Sequence, residues 1–197
     1  FGLGDDKIHI AGYARNDALF KAQKHNSEHR YKIIYMPTFR NKVGSGFDFF
    51  APYGFNISEF EAFLHKHNAE FWIRLHHYNK PTGELLRQID KSAYIHFHAK
   101  DGIYEELNQF DILVTDVSSI FFDFLLLDRP IVFTPFDLDQ YIEHDRELYY
   151  EYNDVTPGPK AFDWHITLIH FERFIAEPDW YKQERNRVRD KFNTFID

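Results

Sequence analysis

Short runs of apolar, often β-branched or aromatic residues alternate along the chain with stretches in which apolar residues recur every three or four positions. The clearest runs are residues 31–37 (YKIIYMP), 70–76 (EFWIRLH), 93–98 (AYIHFH), 111–116 (DILVTD) and 130–135 (PIVFTP). Short, nearly continuous apolar runs are typical of strands that are buried in a parallel sheet. These five runs are therefore predicted strands, and a shorter strand is predicted over residues 8–11.

The segments between the predicted strands contain helix signals. Residues 58–67 and 118–127 each begin with Ser, a favourable N-cap, and continue with an apolar face or body. One helical turn is predicted over residues 104–109, and two charged surface helices over residues 166–176 and 180–195. Strands that alternate with helices imply right-handed βαβ crossovers, so the expected fold is α/β, a Rossmann-like doubly wound parallel sheet. Ligands of such sheets bind at the carboxyl ends of the strands.

The composition fits a single domain over residues 1–197. The chain is 44% hydrophobic and 19% aromatic, which is enough to form a buried core. It has no cysteine, which excludes disulfides, thiolate nucleophiles and Cys-based zinc sites and fits a cytoplasmic protein. The formal net charge of −8 argues against unspecific nucleic-acid binding, so local donors must hold any anionic ligand. The chain begins without Met, within motif-like sequence, which favours a segment of a longer protein.

The segment DILVTDVSSIFFDF, residues 111–124, is the most informative stretch. A buried strand ends at Thr115 and Asp116, and Ser118 and Ser119 follow at the start of an apolar helix. The first N–H groups of a helix have no partner within it, so together with two hydroxyls they could hold a phosphate or diphosphate. Plain helix capping by Ser118 explains the same residues equally well.

Two further strands end in polar residues at the same predicted edge. Thr38 and Arg40 follow the first strand in YMPTFR, and Arg offers a planar fork that suits phosphate oxygens. His76 and His77 end the second strand in RLHH, where a histidine could donate a proton to a phosphate oxygen. Arg40 could instead be an ordinary exposed arginine in a loop. His76 and His77 could instead bind zinc together with nearby acidic residues.

Several enzyme classes lack their usual sequence motifs here. The chain contains no G-x-G-x-x-G, no P-loop, no G-x-S-x-G and no H-E-x-x-H. Dinucleotide dehydrogenases, P-loop NTPases, α/β-hydrolases and H-E-x-x-H metalloproteases are therefore disfavoured.

Taken in order, the segments resemble the CDP-glycerol glycerophosphotransferase family, the polymerases and primases of teichoic acids and related phosphate-linked capsules. Residues 12–17 (GYARND), 37–40 (PTFR), 74–77 (RLHH) and 111–124 resemble the family patterns G-x-P-R-N-D, P-T-[FW]-R, [KR]-x-H-P and D-[IV]-L-[IV]-T-D-Y-S-S-x-x-F-D-[FY]. The resemblance covers nearly the whole chain. Ala14, Val117 and His77 depart from it, standing where the family has Pro, Tyr and Pro.

The resemblance implies the C-terminal, donor-binding half of a GT-B-like enzyme, with the N-terminal acceptor domain absent from this chain. It implies that His76 assists the departure of CMP, and that Asp123 and Asp137 support the turn or the ribose. The donor-binding residues that it implies are Thr38, Arg40, Thr115, Asp116, Ser118, Ser119, Asp123 and Asp137. The family's second active-site histidine, the acceptor groove and the membrane-docking surface would lie in the other half.

The expected reaction is transfer of glycerol phosphate, or less favourably ribitol phosphate, from a CDP-linked donor to a growing polymer or lipid-linked acceptor. We expect no metal and no cofactor, because GT-B-like sites commonly use helix N-termini and basic side chains instead. The complete enzyme is expected at the cytoplasmic face of the membrane, and the isolated domain is expected to be inactive. A UDP-sugar-dependent GT-B glycosyltransferase domain and a non-catalytic nucleotide-binding module are the alternatives.

Overall fold

The computed structural model describes residues 7, 11–21, 30–40, 48–75, 83–98, 102–144 and 147–193. Its centre is a parallel sheet of five strands in the order β3-β2-β1-β4-β5. The strands are β1 (Tyr31–Tyr35), β2 (Ala69–Ile73), β3 (Ile95–Phe97), β4 (Ile112–Thr115) and β5 (Ile131–Phe133). Every pair is parallel, with Ile33 opposite both Phe71 and Ile112 across the middle of the sheet.

The strand order reverses between β1 and β4. From β1 the chain builds outward through β2 to β3, and it then returns to place β4 on the other side of β1. In open parallel sheets a crevice forms outside the carboxyl ends of the strands at such a reversal. The loops after β1 and β4 therefore border the expected ligand site.

Helices cover both faces of the sheet. The helices are α1 (Ile57–Lys66), α2 (Gly83–Lys91), α3 (Ile120–Phe124), α4 (Leu138–His144), α5 (Tyr152–Val155), α6 (Trp164–Ala176) and α7 (Lys182–Phe192). A seven-residue 3-10 helix covers Ala14–Phe20, and single 3-10 turns occur at Ala51–Tyr53, Ile103–Glu105, Leu107–Gln109 and Leu125–Leu127. None of these described helices is long and apolar enough to cross a membrane.

Alternate side chains of each strand pack into two different cores. Ile33 and Tyr35 of β1 face a core formed with α1, α2 and α6, whereas Ile34 faces a core formed with α3 and α7. The first core is rich in aromatic rings around the fully buried Trp164, whose indole N–H donates to Phe49 O at 2.8 Å. Burial on both faces explains the nearly continuous apolar runs in the strands.

The structure confirms the five main predicted strands and the α/β class, with strand ends that differ by at most three residues. Helix α1 begins one residue before the predicted start, and Asn56 caps it by accepting from Ser58 N and Glu59 N. Residues 104–109 form two 3-10 turns instead of one α-helical turn. Helices α2, α4 and α5 were not predicted, and the predicted strand at residues 8–11 falls almost entirely outside the described residues.

Gly158 marks a close approach of the chain to β5. A Cβ at this position would lie 2.1 Å from Ile131 O and 3.2 Å from a ring carbon of Phe133. The following residues extend the sheet edge, because Phe133 N donates to Pro159 O and Ala161 N donates to Phe133 O. The backbone, not a flexible side chain, therefore excludes any larger residue at position 158.

We predict that Gly158→Ala destabilises the fold by about 1–3 kcal/mol, the usual cost of forcing extra volume into a packed site. Gly54→Ala is the matched control, because Gly54 has φ +73° with nothing near its Cβ position. Gly54→Asn should recover stability relative to Gly54→Ala, since Asn tolerates the left-handed region. Urea unfolding measures both series. An Asn at position 158 that restored stability would contradict the steric explanation.

Candidate functional site

Asp116 lies at the centre of the carboxyl edge, immediately after β4. Its Oδ1 accepts from Thr38 N and Thr38 Oγ1, both at 2.8 Å, which joins the loop after β1 to the end of β4. The same oxygen accepts from Val117 N at 2.6 Å and from Ser118 N at 3.2 Å. Asp116 is buried, so these hydrogen bonds replace the water that its carboxylate loses on folding.

Arg40 pairs with two carboxylates at this edge. Its Nη2 donates to Asp116 Oδ2 at 2.8 Å and to Asp137 Oδ1 at 2.6 Å, and its Nε donates to Asp137 Oδ2 at 2.7 Å. Nη1 donates to Thr38 O at 2.7 Å. We call Thr38, Arg40, Asp116 and Asp137 the Arg40 cluster.

The Arg40 guanidinium is held in place rather than offered to solvent. It is 5% exposed and lies between the rings of Phe49 and Tyr141, at 5.4 and 4.7 Å from their centres. Burial alone would lower the pKa of Arg40, but the hydrogen bonds and charges of Asp137 and Asp116 outweigh it and raise the pKa. Its fork is directed at carboxylates, so this geometry favours a positioning role over direct phosphate contact.

The turn after Asp116 leaves two backbone donors without a protein partner. Helix α3 begins at Ile120, with Ser119 at the N-cap, and no side chain caps it. Asp116 takes the N–H groups of Val117 and Ser118, whereas no hydrogen bond from Ser119 N or Ile120 N exists within the described residues. Capping by Ser118 is therefore wrong, and the half-buried Ser118 and exposed Ser119 border two unsatisfied donors.

Hydrogen bonds of Tyr152, Thr115 and Thr134 fix the end of β4 and the turn that follows it. The Tyr152 hydroxyl donates to Asp116 O at 3.1 Å, and burial, followed by the charge of Asp116, raises the pKa of Tyr152. Thr115 is fully buried, and its hydroxyl donates to Met36 O at 2.7 Å. Thr134 N donates to Thr115 O at 2.7 Å, which connects the ends of β4 and β5. Thr115 therefore holds strands together and does not face a ligand.

Asp123 belongs to a separate cluster on α3. It is 3% exposed, and its carboxylate accepts from Arg15 Nη2 at 3.0 Å, Asn16 Nδ2 at 3.1 Å and Tyr104 Oη at 2.8 Å. Burial and then the hydrogen bond to Asp123 raise the pKa of Tyr104 to about 12. Asp123 thus anchors residues of the GYARND segment against α3, and the structure does not bring it to the Arg40 cluster.

The two histidines that end the second predicted strand, His76 and His77, lie outside the described residues. Arg74 precedes them by two and three residues in the sequence, and its Nη1 lies 2.9 Å from His98 Nδ1. His98 Nε2 lies 2.9 Å from Glu106 Oε2. Because a guanidinium only donates, His98 accepts at Nδ1 and donates from Nε2. His98 is therefore a satisfied, buried histidine.

An aromatic pair lies beside Asp137. The rings of Tyr53 and Phe136 stack with centres 4.4 Å apart and an angle of 13° between their planes, and both residues are half-buried. Partial burial and then the charge of Asp137 raise the pKa of Tyr53. Among the described residues, no group of three or more His, Asp or Glu side chains has the arrangement of a metal site.

Comparison with known proteins identifies the family. The model of the CDP-Glycerol:Poly(glycerophosphate) glycerophosphotransferase family matches residues 1–197. The chain belongs to this family. It is 32% identical over 193 residues to the teichoic acid poly(glycerol phosphate) polymerase of Bacillus spizizenii, and 29% identical over 193 residues to the teichoic acid poly(ribitol-phosphate) polymerase of the same organism.

The fold matches part of a solved family structure. A variant of the wall teichoic acid polymerase TagF superimposes with a TM-score of 0.77 at 21% identity, over 96% of this chain and 48% of that one. This likeness confirms the predicted Rossmann-like, GT-B-type fold class. The chain spans 46% and 30% of the two Bacillus spizizenii polymerases. The assignment of residues 1–197 to the C-terminal, donor-binding half stays a prediction.

We predict that Arg40→Met lowers the free energy of unfolding by about 3–5 kcal/mol, because it leaves two buried carboxylates unpaired. Arg30→Met is the matched control, since Arg30 pairs with Glu70 at 3.1 Å while its side chain is 48% exposed. It should cost less than about 1 kcal/mol. Chemical denaturation measures both. Adding Asp137→Leu to Arg40→Met should restore part of the loss, and equal losses in the two arginine variants would contradict the structural role of Arg40.

Proposed function

We propose that this chain is the donor-binding part of a CDP-glycerol glycerophosphotransferase. The complete enzyme transfers glycerol phosphate from CDP-glycerol to a teichoic-acid-like polymer and releases CMP. The observation that carries this proposal is the turn after β4, at the β1/β4 reversal, where Asp116 accepts from Ser118 N while the N–H groups of Ser119 and Ile120 have no partner within the described residues. Family membership supports the choice of chemistry.

The donor's diphosphate is the group that this turn suits. Ser119 N, Ile120 N and the two serine hydroxyls offer short donors to phosphate oxygens, as oriented backbone N–H groups do in other anion sites. Arg40 offsets part of the negative charge of Asp116 and Asp137, so an anion meets less repulsion than two free carboxylates would cause. Arg40 acts in this scheme through Asp116 and not by touching the donor.

The transfer exchanges the phosphoanhydride bond of the donor for a new phosphodiester bond, and the acceptor hydroxyl loses its proton. An acceptor hydroxyl oxygen attacks the phosphorus that carries glycerol, the bond from that phosphorus to the bridging oxygen breaks, and CMP leaves with the electron pair. Donors that are fixed beforehand stabilise the charge that grows on the leaving phosphate. The family resemblance gives His76, two residues after Arg74 in the sequence, the role of supplying a proton to CMP.

The remaining features of the complete enzyme follow from the same proposal. An N-terminal domain binds the polymer or lipid-linked acceptor at the inner face of the cell membrane. The backbone and hydroxyl donors take the part that a metal ion has in many nucleotide-dependent transferases, so neither a metal nor a cofactor is needed. Ribitol phosphate is the second candidate group, because one similar polymerase is named for poly(ribitol-phosphate).

We predict that calorimetric titration of this chain shows binding of CDP-glycerol and CDP, weaker binding of UDP, and no effect of EDTA. The backbone and hydroxyl donors account for metal-independent binding, and the family accounts for the preference for cytidine. Equal affinity for UDP and CDP would favour a UDP-sugar glycosyltransferase. Binding that is lost in EDTA would contradict the metal-free scheme.

We predict that Ser118→Val combined with Ser119→Val weakens CDP binding about tenfold or more, because two hydroxyl donors are lost and apolar groups face the diphosphate. The same titration measures it. Ser92→Ala is the control, since Ser92 lies between α2 and β3, at the amino edge of the sheet, and its hydroxyl bonds Glu61. It should leave CDP affinity unchanged. Unchanged affinity in the double variant would refute the phosphate role of this turn.

A further inference from the structure

The stacked rings of Tyr53 and Phe136 have no role in the scheme so far. Tyr53 ends the 3-10 turn Ala51–Tyr53, and Phe136 lies between β5 and α4. Phe136 also meets the buried Trp164 edge-on, with centres 5.4 Å apart at 68°. Tyr53 meets no aromatic ring other than Phe136 among the described residues. The pair is therefore fixed to the core on one side, while half-exposed Tyr53 forms its outer layer.

The backbone around the pair is fixed before any ligand arrives. Tyr53 N donates to Phe50 O at 3.0 Å and Gly54 N donates to Ala51 O at 3.2 Å, which close the turn. Gly54 has φ +73°, a conformation that favours glycine, and Phe136 N donates to Thr134 O at 2.8 Å. A ligand that stacks on Tyr53 would lose little free energy to ordering of the protein.

The pair lies next to the Arg40 cluster. Phe136 directly precedes Asp137, whose carboxylate is shared with Asp116 through Arg40. After burial, the charge of Asp137 is the next cause that raises the pKa of Tyr53. The contacting side chains of Asp137, Arg40 and Asp116 thus connect the residue after Phe136 to the turn at Ser118.

The chemistry of the pair selects a flat, uncharged group. Neighbouring carboxylates disfavour a second anionic group at the rings, whereas the face of a nucleobase stacks on an aromatic side chain whatever the identity of the base. We propose that Tyr53, supported by Phe136, stacks the pyrimidine base of the nucleotide donor. This inference rests on the proposed function and adds a base subsite to it. The stacking supplies affinity for the nucleoside and does not itself distinguish cytosine from uracil.

The first test compares Tyr53→Leu with Tyr53→Phe in titrations with CMP, CDP, UDP and inorganic diphosphate. Tyr53→Leu should weaken the binding of CMP, CDP and UDP by a similar factor of about tenfold, since stacking on an aromatic ring supplies roughly that much affinity for a base. Binding of diphosphate should not change. Tyr53→Phe keeps the ring and should bind within about twofold of the original chain. Circular dichroism and thermal unfolding confirm that the variants are folded.

The outcomes separate this inference from the function on which it rests. If the original chain binds none of the nucleotides, the proposed function fails and the base subsite fails with it. If it binds CDP but Tyr53→Leu binds CDP equally well, only the base subsite is refuted. If Tyr53→Leu weakens the binding of diphosphate as much as that of CMP, Tyr53 acts on the turn at Ser118 and not on the base. That result also refutes the stacking.

A second measurement reads the contact directly. Tyr53→Trp places an indole at the subsite, and CMP should quench its fluorescence while ribose 5-phosphate and diphosphate leave it unchanged. Tyr149→Trp is the matched control, because Tyr149 is 99% exposed and lies in no proposed site. The original chain, with its three Trp, gives the background signal. Equal quenching of the two variants by CMP would overturn the proposal.

Discussion

The ion pair of Arg40 with Asp116 and Asp137 is the interaction on which the functional edge depends. It joins the loop after β1, the end of β4 and the start of α4, three segments that are far apart in sequence. Thr38 also bonds Asp116 across β1 and β4, but Arg40 is the side chain that adds Asp137 to this set of contacts. Arg40 also donates to Thr38 O, so one side chain contacts the loop after β1, the end of β4 and the segment before α4.

Such a buried ion pair is weak evidence for stability, because desolvation of three charges offsets much of their attraction. The ion pair contributes mainly by fixing the positions of Asp116 and Asp137. Asp116 accepts from Thr38 and from the first two N–H groups of the following turn with one oxygen, so the other is left for Arg40. This arrangement sets which backbone donors are satisfied and which, at Ser119 and Ile120, remain for a ligand. Specific placement therefore explains the burial of charge better than stability does.

The sequence predicted the sheet and its functional edge but not the direction of individual side chains. Periodicity identified five strands, and the carboxyl-edge rule placed Thr38, Arg40 and Asp116 together, as the structure shows. The same rule could not show that Arg40 points at carboxylates, since a residue type and an edge leave direction open. Asp123 is buried on α3 and accepts from Arg15, Asn16 and Tyr104, contacts that no pattern in the sequence indicates, and its donor-binding role stays a prediction. Helix α2 begins at Gly83, and glycine is a poor helix former, which weakens the helix signal at this start.

The turn after Asp116 and the loop that contains Phe136 are connected because Asp116 and Asp137 share Arg40. A nucleotide held at both ends would be aligned without rearrangement of the protein, so binding of the base can be used to position the phosphorus that reacts. Under the proposed function, binding of the donor can thus be measured on this chain separately from transfer.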